Sequence, residues 1–398
     1  MLRYLTAGES HGRSLVAIVE GMPSGLNIEA SDIDKDLARR QGGYGRGARM
    51  AIEKDKVMLN SGVRHGQTLG SPVSLIVANR DWENWHGKMS EARVTPKEAG
   101  AKVTRPRPGH ADLTGVLKYA RGDARDILER SSARETAVRV AVGGLAKRLL
   151  SEFGIGIWSW VFEIGGVDYT EGCESPEKLH SLAEGSLVRC PDQKISQRMK
   201  QRIDQLKKRG DSVGGFFRVV ATGVPPGLGS HVQWDRKLDG RLAMALMSVQ
   251  AIKSVEVGMG AGVGKLPGSR VHDEIFYGTA CRKDAEFWPP KKRFYRKTNN
   301  AGGIEGGMSN GEPIILSAAM KPIPTLYKPL LSVDMKTKKS FEASVERSDV
   351  CAVPAASVIG EAVVAFALAE FFLDKFGGDS IAEIKRNYKG YLAQIKRF

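Results

Sequence analysis

Two histidines stand in surroundings that suit proton transfer. Gly8-Glu9-Ser10-His11-Gly12 holds His11 beside a hydroxyl and between glycines, and Arg105-Pro106-Arg107-Pro108-Gly109-His110 stiffens two arginines ahead of His110. Imidazole ionises near neutral pH, so a histidine in such a turn is a candidate general acid or base. The first segment also fits G-x-S-x-G, the pattern that presents a nucleophilic serine on a strand-to-helix elbow. That elbow needs a helix after the serine, and Ser14–Met22 (SLVAIVEGM) reads as a strand. A hydrolase acting through Ser10 is the weaker reading.

The arginines say more. Residues 39–49 (RRQGGYGRGAR) place Arg39, Arg40, Arg46 and Arg49 among four glycines. Arg105 and Arg107 each stand directly before a proline. Glu129-Arg130-Ser131-Ser132-Ala133-Arg134 falls at a predicted helix start, and Arg347-Ser348-Asp349-Val350-Cys351 leads into the C-terminal helix. Guanidinium forks grip phosphate and carboxylate with two parallel bonds, glycine lets backbone come close, and helix N-termini favour anions. Four such turns in one chain point to a pooled site for a small polyanion. A nucleic-acid binder would show a basic tail or stripe interleaved with aromatics, and only Lys291–Lys297 (KKRFYRK) has that texture. The glycine run Gly258–Lys265 fails as a phosphate loop, because Met259 and Leu266 stand where Gly and Ser or Thr are needed. No HExxH or EF-hand pattern occurs, so no metal is expected.

The elements that must position these residues follow from periodicity. Leu2–Ala7 and Ser14–Met22 read as a hairpin, Pro72–Asn79 and Phe216–Val224 as strands. One helix is expected to start near Ser31, capped with Asp34, and to stop at Gly42–Gly43. A second is expected from Ser132 with Glu135 closing a capping box, its apolar face carrying Val138, Val142, Leu145 and Leu149. Ile195, Met199, Ile203 and Leu206 mark a third, ending at Gly210, and Arg241–Lys253 a fourth. The longest apolar stretch, Ala355–Leu373, carries Glu361 and Glu370 and suits a buried core helix better than a membrane span.

Composition bounds the rest. The chain has 398 residues, 41% hydrophobic and 26% charged, with 46 glycines in short clusters, which excludes fibrous and disordered classes. Sixty Lys and Arg against 45 Asp and Glu leave +15, a balance that favours anionic partners. Cys173, Cys190, Cys281 and Cys351 are too scattered for a zinc site or a disulfide framework. No signal peptide is legible, so a cytoplasmic location without membrane or nucleic-acid partners is expected. Strands and helices interleave without a regular period. One large α+β domain over residues 1–398 is expected, with a basic insertion-like loop at about 282–300.

Together these segments resemble chorismate synthases. The resemblance runs through Thr6–Gly12, Arg39–Met50, Ser61–Val73, Arg107–Leu113, Glu129–Thr136, Gly210–Gly215, Gly306–Ile314, Lys321–Leu326 and Arg347–Ala362, in family order and over nearly the whole chain. It implies a β-α-β sandwich with antiparallel sheets around a helical layer, and a homotetramer. It implies a lyase of the shikimate pathway that takes phosphate from 5-enolpyruvylshikimate 3-phosphate by 1,4-elimination, with reduced FMN. By the resemblance, His11 lies beside the flavin, His110 is the acid for the leaving phosphate, and Asp349 helps remove the C6 proton by way of the flavin. Ser10, Arg40, Arg46, Arg49, Arg107, Arg134 and Arg347 would bind the substrate. Arg130, Ser131, Ser132, Gln250, Ala251, Gly306, Lys321, Pro322, Ile323, Pro324, Thr325 and Arg347 would hold FMN. No added reductase segment is legible, so an external flavin reductant is expected rather than the chain's own use of NADPH.

Overall fold

The computed structural model describes residues 1–47, 52–172, 174–278, 293–345 and 348–398. Arg49, Arg347 and residues 282–292 of the basic stretch lie outside the described residues.

Alternating apolar residues build the first sheet. β1 (Arg3–Ala7) and β2 (Ser14–Glu20) pair antiparallel with Leu5 opposite Ile18. β3 (Val57–Ser61) and β4 (Val73–Ala78) extend it in the order β1-β2-β4-β3. Leu15, Ala17, Val19, Val73, Leu75 and Val77 point inward and are buried. The second sheet is also antiparallel. It contains β5 (Gly156–Ile164), β6 (Val167–Asp168), β7 (Gly215–Thr222), β8 (Ile252–Val257) and β9 (Ile314–Met320), in the order β8-β9-β7-β5-β6.

The helices include α1 (Ala30–Gln41), α2 (Asp112–Tyr119), α3 (Arg125–Ser131), α4 (Thr136–Ser151), α5 (Gln193–Lys208), α6 (Leu238–Met247) and α7 (Val353–Phe376), of which α1, α4 and α7 form the layer between the sheets. α4 lies on β2 and β4, α7 lies on β5 and β7, and the two helices pack on each other with α1 alongside. Their close approach requires Gly143, where an added Cβ would come 2.3 Å from the Ala362 Cβ. The layering is therefore the β-α-β sandwich that the resemblance implies. Every residue of α7 from Val353 to Ala369 is buried, so no face of that stretch needs to be turned to water. Among the described residues it is the one helix long and apolar enough to cross a membrane, and 83% of its most apolar window is buried inside the fold.

Local differences from the sequence expectations have physical causes. α1 begins one residue before Ser31, with Glu29 and Asp32 forming the reciprocal cap in place of Ser31 and Asp34. Ser132 caps a short 3-10 turn, Ala133–Glu135, that leads into α4. Glu135 does not close a capping box, since its carboxylate accepts from Thr6 and Gln250. The helix expected over Arg241–Lys253 stops at Met247. Ser248 donates back to the Ala245 carbonyl, Ala251 adopts a left-handed φ of 68°, and Ile252 already pairs with Met320. Of the basic stretch, Arg293–Arg296 is a strand against Ile275–Gly278 rather than loop. Gly260–Lys265 is a 3-10 turn, and an added Cβ at Gly258 would meet the Asn300 carbonyl at 2.1 Å.

Candidate active site

The first turns of α4 and α7 border a cavity of about 520 Å³. Thr136 opens α4 on one wall, and Ala355, Ala356 and Ile359 line another from α7. Two helix N-termini thus contribute positive dipole ends to the same space.

His11 sits in the turn between β1 and β2, so no helix follows Ser10 and the nucleophile elbow is absent. Ser10 is 2% exposed, and its backbone N–H donates to the Glu129 carbonyl at 2.9 Å. The Glu129 carboxylate lies 2.9 Å from His11 Nδ1 and also accepts from the His11 backbone N–H at 2.9 Å. Asp81 stands 3.8 Å from Nε2, and the indole of Trp85 stacks on the imidazole at 3.9 Å between ring centres. Burial alone would raise the Glu129 carboxyl, yet the His11 bonds and Arg125 hold it below the usual carboxylate range.

His110 ends the Arg-Pro segment immediately before α2. Its Nδ1 lies 2.6 Å from Asp112, a residue 1% exposed. Arg107 grips the same carboxylate through Nε at 2.9 Å and a terminal nitrogen at 3.1 Å. Its other terminal nitrogen donates to Thr325 at 3.1 Å. Burial would raise the Asp112 carboxyl, but His110 and Arg107 hold it well below the ordinary range.

Four of the predicted arginines line the cavity: Arg40, Arg46, Arg107 and Arg134. Each also meets a carboxylate inside the protein. Arg40 bonds Thr136 at 3.0 Å and lies 3.4 Å from Asp55. Arg134 bonds Asn79 at 2.9 Å and Asp55 at 2.6 Å. Arg46 lies 2.9 Å from Asp349, whose other oxygen accepts from the Gly47 backbone N–H at 2.6 Å. Burial lowers the Arg40 guanidinium to about 9; Asp55 opposes the shift, while Arg134 and Arg46 add to it. These internal carboxylates hold the four guanidinium groups in place.

The FMN stretches divide. Ser131, Ser132, Gln250, Ala251, Lys321, Ile323, Pro324 and Thr325 line the cavity. The Lys321 ammonium donates to the Gly109 carbonyl, which ties this stretch to the His110 turn. Arg130, Pro322 and Gly306 are not on the cavity wall. Arg130 braces the His11 turn by donating to the Gly8 and Thr6 carbonyls at 2.9 and 3.0 Å. It faces a neighbouring cavity of about 1020 Å³. Gly306 forms the turn between Ile304–Glu305 and Met308–Ser309, with φ 59°.

The residue set fits a flavin mononucleotide. Leu128, Val249, Met320 and Ile323 offer an apolar wall for a ring, and Lys321, Ser132 and Thr325 offer donors for a phosphate. Gln250 Oε1 is buried and accepts no hydrogen bond among the described residues, which suits a ligand N–H. Sequence reasoning did not pick out Glu129, Asp112, Asp55 or Trp85 as site residues. The two carboxylates that hold the histidines stand inside motifs already singled out, so their place in those motifs was the available signal.

Comparison with known proteins gives a consistent picture. The family model described as chorismate synthase matches residues 2–373. The chain is 59% identical over 398 residues to the chorismate synthase of Geobacter metallireducens, covering 100% of both chains. It is 62% identical over 396 residues to that of Pelobacter propionicus, again over 100% of both. A solved crystal structure of chorismate synthase, 42% identical, superposes with a TM-score of 0.79 over 100% of this chain and 99% of the other.

Proposed function

The chain belongs to the chorismate synthase family, and from that premise we propose that this cavity is where 5-enolpyruvylshikimate 3-phosphate loses phosphate to give chorismate. The enzyme is a carbon–oxygen lyase of the shikimate pathway. One observation carries the assignment of the site: His11, His110, Asp349 and four arginines, brought together from five stretches of the chain, converge on a single cavity.

The cavity residues divide the work by chemistry. The substrate carries one phosphate and two carboxylates, and Arg40, Arg46, Arg107 and Arg134 supply cations from several sides, with Arg49 and Arg347 as further candidates by resemblance. Ser10 lines the cavity near His11 and is the candidate hydroxyl contact. His110 holds a proton for the departing phosphate oxygen, which becomes a better leaving group as the C–O bond breaks. The Asp349 carboxylate, held by Arg46 and the Gly47 N–H, is the proposed final acceptor of the proton lost from C6. The C6–H pair then becomes a new ring double bond, the existing double bond moves one position along, and the C–O pair leaves with phosphate. FMN would be held by Ser131, Ser132, Gln250, Ala251, Lys321, Ile323, Pro324 and Thr325, with Arg130 acting through the His11 turn. Bound there, reduced FMN would supply electron density to the elimination with no net oxidation or reduction, so substrate and product stay at one oxidation level. Glu129 and Trp85 orient His11 at that place.

The wider reading is a cytoplasmic homotetramer served by an external flavin reductant. Leu5 (78% exposed), Met58 (60%) and Ile18 (50%) on the outer side of the first sheet support self-association. The His110→Ala variant tests the site. It should bind FMN normally and lose about 10²–10⁴-fold in turnover. Turnover near that of the unmodified enzyme would remove His110 from the chemistry.

A further inference from the structure

We propose that Asp112 is a positioning residue that fixes one proton on His110 Nδ1 and so reserves Nε2 for the reacting phosphate. The proposal rests on the reading of His110 as the acid.

Three nitrogens and one carboxylate decide the point. Asp112 Oδ1 lies 2.6 Å from His110 Nδ1, while the Arg107 terminal nitrogen lies 3.1 Å from the same atom. Nδ1 has a single in-plane direction for either a hydrogen or a lone pair. If it were the lone-pair nitrogen, it would face an ionised carboxylate at hydrogen-bond distance, and two acceptors repel. An ionised carboxylate only accepts, so Nδ1 must carry the hydrogen and donate it to Asp112. The Arg107 approach at 3.1 Å is then a contact between donors and not a hydrogen bond. Its remaining distance to Nε2, 3.5 Å, is too long to hold that nitrogen.

Asp112 is well built for this. It is 1% exposed and opens α2, and Oδ2 accepts from the Arg107 backbone N–H at 3.1 Å as well as from its Nε. The carboxylate is therefore clamped from two sides before it meets the imidazole. Burial works against its ionisation, and His110 and Arg107 more than offset that. The charges also balance usefully. Asp112 neutralises Arg107, so a protonated His110 leaves one net positive charge facing the incoming anion. The same logic recurs at His11, where Glu129 takes Nδ1.

The test is ¹⁵N NMR of the histidine rings with steady-state kinetics, on the enzyme loaded with FMN. At a pH where the ring is neutral, His110 should show its proton on Nδ1. In Asp112→Asn the side-chain amide can donate to Nδ1, and the proton should move to Nε2. Turnover should fall about 10²-fold or more, because a neutral ring with Nδ1 turned to an amide is a far weaker Nε2 acid than an imidazolium whose Nδ1 hydrogen is held by a carboxylate, while KM does not rise because Arg107 is kept. Asp112→Glu keeps the carboxylate and should restore the Nδ1 proton and part of kcat; it carries the test if the Asn variant does not fold. An Asn variant with full kcat, or with its proton still on Nδ1, overturns the proposal. So does an Asp112→Glu variant with full kcat and its proton on Nε2. His110→Ala separates the two readings. If that variant is also fully active, the role of His110 fails and this proposal falls with it. If it is inactive while Asp112→Asn is fully active, only the proposal fails.

Discussion

Glu361 should hold the helical layer together far more strongly than Glu370, nine residues along the same helix. Its carboxylate is fully buried and receives Arg39 at 2.8 and 2.7 Å, the Ser159 hydroxyl at 2.5 Å, Lys147, and Arg189 at 3.4 Å. Asp36 and Glu184 share these cations from the rim. Glu361→Gln removes the central charge and leaves the cations crowded and partly desolvated. Breaking a buried ion pair in this way costs about 3–5 kcal/mol. Unfolding entropy of about 2.1 cal/mol/K per residue gives roughly 0.8 kcal/mol/K for a chain of this size, so Tm should fall by about 4–6 °C. Glu370→Gln is the internal control. Glu370 meets Arg241 at 2.7 Å with both side chains partly exposed, and should lose under about 1 kcal/mol. Burial opposes ionisation of Glu361, but Lys147, Arg39 and Arg189 hold its carboxyl well below the usual range. Its contribution is therefore present above the unfolded carboxyl pKa of about 4.3 and fades as pH falls through the lower folded value. The gap in Tm between the native protein and Glu361→Gln, measured by calorimetry, should narrow on acidification below that point. Equal Tm losses for the two variants, or a gap that widens in acid, would refute the argument.

Other outcomes follow from the same contacts. Glu129→Gln should lower kcat while leaving substrate KM nearly unchanged, because it releases His11 but removes no cation from the cavity; a purely higher KM would contradict that placement. Arg134→Ala should lower chemical-denaturation stability by about 3–5 kcal/mol as well as weaken substrate binding, since Asp55 and Glu53 would be left buried with a cation missing. Stability equal to the native protein would show that those carboxylates are satisfied elsewhere. The value of kcat/KM should decline with added salt if the +15 chain steers its polyanion, and a flat profile would exclude steering. Fluorophosphonate should leave Ser10 unlabelled, because the serine is buried and no elbow helix activates it.

Much of this was legible in the sequence because it depends on local pattern. Alternation over Ser14–Met22 and Pro72–Asn79 identified strands of the first sheet, and the Val138–Leu149 spacing identified α4. The arginine-bearing turns could be grouped without any reference to family, and Arg40, Arg46, Arg107 and Arg134 from them line one cavity. The layering was not legible from pattern alone, since it depends on the close contact of Gly143 with Ala362 across 219 residues of sequence separation. It came from the resemblance. The end of α6 was misread because a left-handed Ala251 and the pairing of Ile252 override good helix formers. Asp55 escaped notice because its partners, Arg40 and Arg134, come from two different segments. The same holds for Trp85, whose ring meets His11 only in the folded chain.

The most direct measurement is anaerobic turnover. Purified protein, photoreduced FMN and 5-enolpyruvylshikimate 3-phosphate would be mixed, with phosphate release and chorismate absorbance followed together. Oxidised FMN serves as the control. Equal amounts of phosphate and chorismate, formed only with reduced flavin, are the predicted result. Bound flavin and bound substrate without either product, or equal turnover with oxidised FMN, would contradict the account.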